Sequence, residues 1–439
     1  MLTTARSFLG THVDNSPLIL FRIIFGFLAA AESYGAILTG WVQKAFIDPK
    51  FTFTMIGFEW LQPLEGNGMI YYFLIMGTAA LFIMLGFFYR ASTFVFFSMW
   101  TMVYLMQKTH YNNHYYLLVL LSAAMIILPA HKSRSLDAKL GLTIPQNTCA
   151  RICHWFFIIQ IVIVYLYASI HKMHWDWLEA RPIGIWFSHK ANYWLIGPLL
   201  QEKWFQLVIA WGGVVYDGVI VFLLLHPKTR KIGFILSIIF NLFNSFVFQI
   251  GIFPYLMIGL TVFFFPPETI QSTFFKKKPK VYPVRKQLSK GWTYVLSAYF
   301  ILQILLPLRH HLIKGDVAFT EEGHRLSWRM MLRVKSGSIR MYVEDIAAGK
   351  RERVRLSNYL TRDQQSSLMV QPDMIWQFAQ RLKDEYAEKG QNVAVFANAK
   401  VSLNGHPSKP LIDENVDLAK VSWEPFRHSD WILIHEEND

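Results

Sequence analysis

Nine apolar stretches, each close to the length of a bilayer-crossing helix, succeed one another through the first 308 residues of this 439-residue chain. They run over 17–38, 69–89, 91–108, 114–130, 153–170, 204–225, 231–249, 251–266 and 290–308. A helix needs about 20 such residues to cross the hydrocarbon core, and its backbone groups are then satisfied within the segment. The pattern predicts an α-helical integral membrane domain of about nine transmembrane helices over 1–308, the shorter ones tilted or packed inside the bundle. Composition agrees. Hydrophobic residues make up 53% and charged ones 17%, against about 45–50% and 25% in soluble globular chains. The stretch 191–200 is too short to span, is broken at Gly197-Pro198, and reads as re-entrant or interfacial. The first apolar run begins near Pro17 and is long enough to span, so it reads as a helix rather than a cleaved signal peptide.

Charge sets the expected orientation. Residues 309–439 hold 19 Lys/Arg and 19 Asp/Glu, so the net charge of +13 belongs to the membrane domain. There it sits in loops, where orientation signals belong, and not in a nucleic-acid-binding patch. Loop 131–152, the turn 227–231 and loop 267–290, with Lys276, Lys277, Lys278 and Lys280, are basic and fall on one side of the nine-helix count. That side reads as cytoplasmic, in a bacterial inner membrane or an ER-type membrane. The N-terminus is then cytoplasmic and 309–439 forms an extracytoplasmic domain. This second domain reads as a small α+β unit, with β-like stretches at Val393–Phe396 and Trp431–His435 and a helical one near Asp373–Lys389. Cys149 and Cys153, the only two cysteines, lie at a loop-to-helix junction and read as small apolar residues at i,i+4, a spacing that disfavours a disulfide.

Polar side chains within spanning helices cost free energy and mark sites. Here they gather at one depth. His110, Asn112, Asn113 and His114 form the turn before the fourth span, and Lys172, flanked by His171 and His174, ends the fifth. Asn241, Asn244, Ser245 and Phe248 share one face of the seventh. Gln249, Gly251 and Pro254 follow. The convergence predicts one site on the extracytoplasmic side. Arg22 with Glu32, and Asp217 in the sixth span, read as structural pairs.

Five strings in order resemble the vitamin K-dependent γ-carboxylase family, including its bacterial membrane homologues with an HTTM domain. They are Lys108-Thr109-His110-Tyr111-Asn112-Asn113-His114-Tyr115; Lys172 with Asp176-Trp177; Asn244-Ser245 with Gly251-Ile252-Phe253 and Tyr255; Ser327-Trp328-Arg329-Met330-Met331; and Trp423-Glu424-Pro425-Phe426. The resemblance covers nearly the whole chain. It implies a lyase that oxygenates a reduced, prenylated naphthoquinone (phylloquinol or menaquinol) to its 2,3-epoxide. The strong base so formed takes a γ-proton from glutamate in a peptide or protein, and CO2 adds to the carbanion. By the same likeness Lys172 is the base that deprotonates the quinol, and His114 with Asn113 orients its oxygen. A lysine acts as a base only when neutral, and burial at an apolar helix end favours the neutral amine. Asn241, Asn244, Phe253, Met257, Met330 and Met331 are the expected cofactor-binding residues. The expected co-substrates are the quinol, O2 and CO2, with no metal, no nucleic acid, and membrane lipid as surroundings.

This sequence departs from the family in places. Asn241 stands where the animal enzymes have a histidine, and His171 stands for the first of two adjacent lysines. The cysteine pair linking the two parts of the animal enzymes has no counterpart. The sequence ends soon after Phe426, without their further β-rich region, so recognition of a propeptide-bearing substrate is not expected.

Two other readings use the same residues. His110, His114, His171 and His174, paired at i,i+4 and i,i+3, suit a His-ligated membrane metallo-oxidase. A non-catalytic quinone- or lipid-binding membrane protein would need the cleft but not the base.

Overall fold

Each of the nine apolar stretches is helical in the computed structural model, which describes residues 2–435. Not all nine reach the length and hydropathy of a full span. Among the described residues six helices are long and apolar enough to cross a membrane, or seven if one bent pair is a single span. The six are α1 (Ser16–Leu38), α2 (Gly68–Leu85), α5 (Ile152–His171), α6 (Lys203–Leu225), α7 (Arg230–Phe248) and α9 (Lys290–Leu305, continued as a 3₁₀ turn to Leu312). The shortfall has local causes. The 18-residue helix α3 (Tyr89–Met106) carries Arg90, Ser92, Thr93, Ser98 and Thr101. Helix α4 (Asn113–Ile127) is 15 residues long because Leu128, preceding Pro129, turns extended. Helix α8 (Phe253–Leu260) and its 3₁₀ continuation stop at Pro266-Pro267, where the chain bends by 114° into Pro267–Phe274. The stretch 191–200 forms no span: a five-residue helix starts at Gly197.

At the end of the bundle away from the C-terminal domain, β1 (His12–Asp14) pairs antiparallel with β2 (Thr148–Ala150). Cys149 therefore lies in a strand and Cys153 in α5, so the expected common helix is absent; both are buried free thiols. Lys278 is not a loose loop charge either. It is buried, and its Nζ donates to Asp14 Oδ2 and Asn15 Oδ1, each at 2.7 Å.

The C-terminal region is built on a four-stranded antiparallel sheet of order β4-β3-β5-β6: β3 is Lys335–Asp345, β4 Lys350–Arg353, β5 Val393–Leu403 and β6 Lys409–Pro410. Ile339, Met341 and Val343 of β3 and Val395, Ala397, Ala399 and Val401 of β5 alternate toward one face. There they meet Met374, Phe378 and Leu382 of helix α10 (Pro372–Glu388). The strand expected at Trp431–His435 is reduced to a single bridge, Ile412 to Ile432.

Specific bonds tie the sheet domain to the helix ends and fix what faces the bundle. Fully buried Lys108 donates to Asp373 at 2.9 Å, and Arg325 pairs with the same carboxylate. Burial pushes the Asp373 carboxyl up, but the two cations outweigh it and hold it below its ordinary value. Asp176, just after α5, accepts from Asn404 Nδ2 at 2.7 Å. Gln364 donates to the Phe51 carbonyl at 2.7 Å.

Candidate active site

Lys172 caps α5, its N–H donating to the Ser169 carbonyl at 3.1 Å. The side chain turns toward α6, and its Nζ donates to Asp217 Oδ2 at 2.5 Å, with both groups buried. Close helix approach makes this possible. Ser169 Oγ donates to the Val214 carbonyl at 2.9 Å, and a Cβ on Gly213 would lie 3.7 Å from both Lys172 Nζ and the Trp177 ring. Small residues at such contacts let membrane helices approach. Trp177 is pinned through its indole N–H to the Ala210 carbonyl at 2.9 Å, and the ammonium sits 5.3 Å from a Trp177 ring centroid.

Asp217, read from sequence as a structural residue, pairs with the candidate base and lines the same cleft. Arg22, expected beside Glu32, bonds the Ala130 and Arg134 carbonyls. Glu32 accepts from Tyr115 OH at 3.0 Å.

The cleft encloses about 100 Å³. His114, Lys172, Asn241, Asn244, Phe253, Met257, Met330 and Met331 all line it, with Asp217, Trp177, Phe240 and Phe248. Asn241 Nδ2 donates to the Ser237 carbonyl at 2.9 Å and to Tyr216 OH at 3.4 Å. His114 packs against Phe253, ring centroids 4.9 Å apart.

Asn113 is not brought into this cleft. Its Oδ1 accepts from Tyr111 OH at 3.1 Å and its Nδ2 donates to the Arg329 carbonyl at 2.9 Å. Asn112 caps α4 by accepting from Tyr115 N–H at 2.8 Å. His110 packs on Trp41. Among the described residues no three His, Cys, Asp or Glu side chains are grouped so as to hold a metal ion, so the four histidines do not form the ligand set of the metallo-oxidase reading.

A second cavity, of about 380 Å³, lies on the sheet-domain side and shares His114, Met330 and Met331 with the cleft. The partition is the segment Leu326–Met331, in which Leu326, Trp328 and Met331 have φ of 62°, 56° and 49°. Three non-glycine residues in the left-handed region within six positions store strain that surrounding contacts must hold. Trp328, fully buried against Tyr116, and the Asn113 bond to Arg329 are those contacts.

This cavity is cationic. Arg329, Arg333 and Lys335 line it against one carboxylate, Glu321, while burial and the neighbouring Arg333 hold the His324 imidazole well below its ordinary value. Glu321 pairs with Arg333 and, at 3.1 Å, with Lys335. Burial pushes its carboxyl up, yet the two cations hold it well below the usual range. Burial lowers the Arg329 guanidinium to about 10, which leaves it charged at neutral pH. The Arg329 Nε is buried with no protein partner.

Two family models cover most of the chain. The HTTM domain matches residues 11–268, and the vitamin K-dependent gamma-carboxylase lumenal domain matches 288–438. The chain belongs to the vitamin K-dependent γ-carboxylase family. No solved structure matches it. Family membership gives this γ-carboxylase homologue vitamin K-dependent, γ-carboxylase-like chemistry in a membrane protein. Two parts of the candidate site were missed from sequence. An aspartate inside a 23-residue apolar helix was itself a signal for Asp217. The Arg329/Arg333/Lys335 set had only the Ser327–Met331 string to point at it.

Proposed function

We propose that this γ-carboxylase homologue oxygenates a reduced, prenylated naphthoquinone and carboxylates glutamate, the quinol lying in the cleft and the glutamate side chain in the cationic cavity. One observation carries the reading: the Lys172–Asp217 pair and His114 open onto a single apolar cleft, and His114, Met330 and Met331 also wall a cavity with excess positive charge. The residues suit such a quinol. Phe240, Phe248, Phe253, Ile209 and Met257 offer apolar walls, while Lys172, Asp217, His114, Asn241 and Asn244 supply a few convergent polar atoms. On this reading the cleft and the sheet domain lie on the extracytoplasmic side, and units 1–308 and 309–439 each supply one wall.

When bound and reduced, the quinol supplies, with O2, the strong base that removes a glutamate γ-proton before CO2 adds. The protein's share is proton handling, orientation and exclusion of water. Lys172 Nζ takes the quinol proton as a neutral amine whose lone pair faces the quinol oxygen while an N–H donates to Asp217 Oδ2. The Asp217 carboxylate then stabilises the ammonium that forms, so the two side chains act as a unit. His114, packed on Phe253, presents a ring nitrogen to a quinol oxygen. Asn113 works indirectly, holding the Arg329 carbonyl and through it the Met330-Met331 wall. Arg329 offers its charge to the substrate carboxylate, a charge-assisted contact. Aromatic and methionine walls keep water from quenching the base.

The test is direct. Purified protein in detergent, given reduced phylloquinone or menaquinone, O2, bicarbonate and a short glutamate peptide, is expected to yield the 2,3-epoxide by chromatography, and the Lys172→Ala variant none. Unchanged turnover in Lys172→Ala would remove the lysine-base reading. No epoxide with any quinol would favour the non-catalytic binding protein.

A further inference from the structure

The roomiest of the cavities beside His114 is not the quinol cleft. A cavity of about 460 Å³ lies on the other side of His114, where Glu32, Asn112, Tyr115 and Gln249 stand among mostly apolar wall residues. It shares only His114, Ile250 and Phe253 with the cleft. Glu32 projects into it from the last third of α1, a hydrophobic helix whose other charged side chain, Arg22, bonds two carbonyls elsewhere. A carboxylate in such a helix is expensive to keep and faces a cavity or a partner. Glu32 does both. One oxygen accepts from Tyr115 OH at 3.0 Å, and the other faces Gly251, where a Cβ would lie 3.5 Å away. Gly251 has φ +62°, a conformation in which a side chain would be strained. The cavity wall includes Ala31, Thr39 and Gln249, all exposed, so it communicates with the outside of the molecule.

We propose that Glu32 is the proton outlet of the site, receiving through His114 the proton of the quinol hydroxyl that the Lys172–Asp217 pair does not reach. This rests on the function proposed above. The balance is simple. The hydroxyl O–H bond breaks and one ring nitrogen of His114 gains the proton. The opposite ring nitrogen gives its own proton to water in the cavity, and that proton comes to rest on the Glu32 carboxylate before leaving past Thr39 and Gln249. The cavity has room for a bridging water, and Glu32, Asn112 and Gln249 in its wall offer that water polar partners. Tyr115 keeps the carboxylate aimed at the cavity.

The experiment compares Glu32→Gln, Glu32→Asp and wild-type protein. Infrared difference spectra taken without O2, on adding reduced phylloquinone, should show a new protonated-carboxyl band in wild type that Glu32→Gln lacks. Quinone affinity, read by tryptophan quenching, should be equal in all three. With O2, epoxide formation by Glu32→Gln should fall about 10²-fold, the size of a lost proton-transfer group. Glu32→Asp should recover part of it, with a raised solvent isotope effect. Glu32→Gln preserves an acceptor for Tyr115, so a purely structural carboxylate predicts near-normal turnover, and that result would overturn the outlet. Loss of quinone binding in Glu32→Gln would overturn it too. Wild-type protein that forms epoxide in a Lys172-dependent way, with no carboxyl band, would sink the outlet alone. Wild-type protein that forms none would sink both readings.

Discussion

Lys172 Nζ donates to Asp217 Oδ2 at 2.5 Å, joining the end of one membrane helix to the interior of the next. Among the described residues neither group has another charged partner. In a water-poor cleft, removing one partner strands the other, at about 3–5 kcal/mol.

Asp217→Asn and Lys172→Ala are each expected to lower epoxidation at least about 10²-fold. The double variant should be no slower than the worse single one, because residues acting as a unit are not additive. Thermal unfolding should show the complementary pattern: the double variant is more stable than Lys172→Ala alone, since no charge is left stranded. Additive losses in rate would mean that the two side chains act separately.

That pair marks the limit of what the sequence made legible. Hydropathy gives depth along a helix but not azimuth around it, so Lys172 and Asp217, 45 residues apart, could be placed in one leaflet but not in one hydrogen bond. Adjacent positions on a helix point about 100° apart. His114 therefore faces the apolar cleft while Asn113 faces the segment at Arg329, although the same string suggested both. The apolar stretches were readable because burial in lipid demands them. Their number as full spans was not, since hydroxyls in α3 and prolines after α4 and α8 shorten what composition suggests. The cationic cavity depends on three left-handed residues in an irregular segment, for which no periodicity exists.

Arg329→Ala should separate the two half-reactions. Its guanidinium lines the cationic cavity, and only its backbone carbonyl serves Asn113. Epoxide formation should persist while γ-carboxyglutamate per epoxide falls about tenfold or more, as for loss of a charge-assisted bond of about 1.5–3 kcal/mol. Raising the peptide concentration should restore part of the yield. Equal losses of epoxide and carboxylated product would argue against a glutamate site here.

Asn113→Ala removes a tie between α4 and the Leu326–Met331 segment. The Tyr111 hydroxyl and the Arg329 carbonyl lose a partner, at about 1–3 kcal/mol of stability. Because Met330 and Met331 wall the cleft, KM for the quinol should rise more than kcat falls. Asn113→Asp keeps only the acceptor for Tyr111, so it should resemble Asn113→Ala in KM. A pure kcat defect would instead place Asn113 at the reacting atoms.

Acid should loosen the sheet domain through Glu321. Its carboxyl is held below the ordinary 4.5 by Arg333 and Lys335 despite burial. The unfolded chain therefore takes up the proton first as pH falls. The contribution is complete above that ordinary value and is lost progressively as pH falls through the depressed folded value. Glu321→Gln removes it at every pH and leaves two cations facing each other, so it should cost about 3–5 kcal/mol at neutral pH. Denaturant unfolding of the wild type between pH 7 and pH 3 should show stability declining below about pH 4.5, and Glu321→Gln should be weaker at neutral pH and flatter with acid. A Glu321→Gln profile parallel to wild type would shift the acid sensitivity to another carboxylate, Asp373 first, since Lys108 and Arg325 hold it low in the same way.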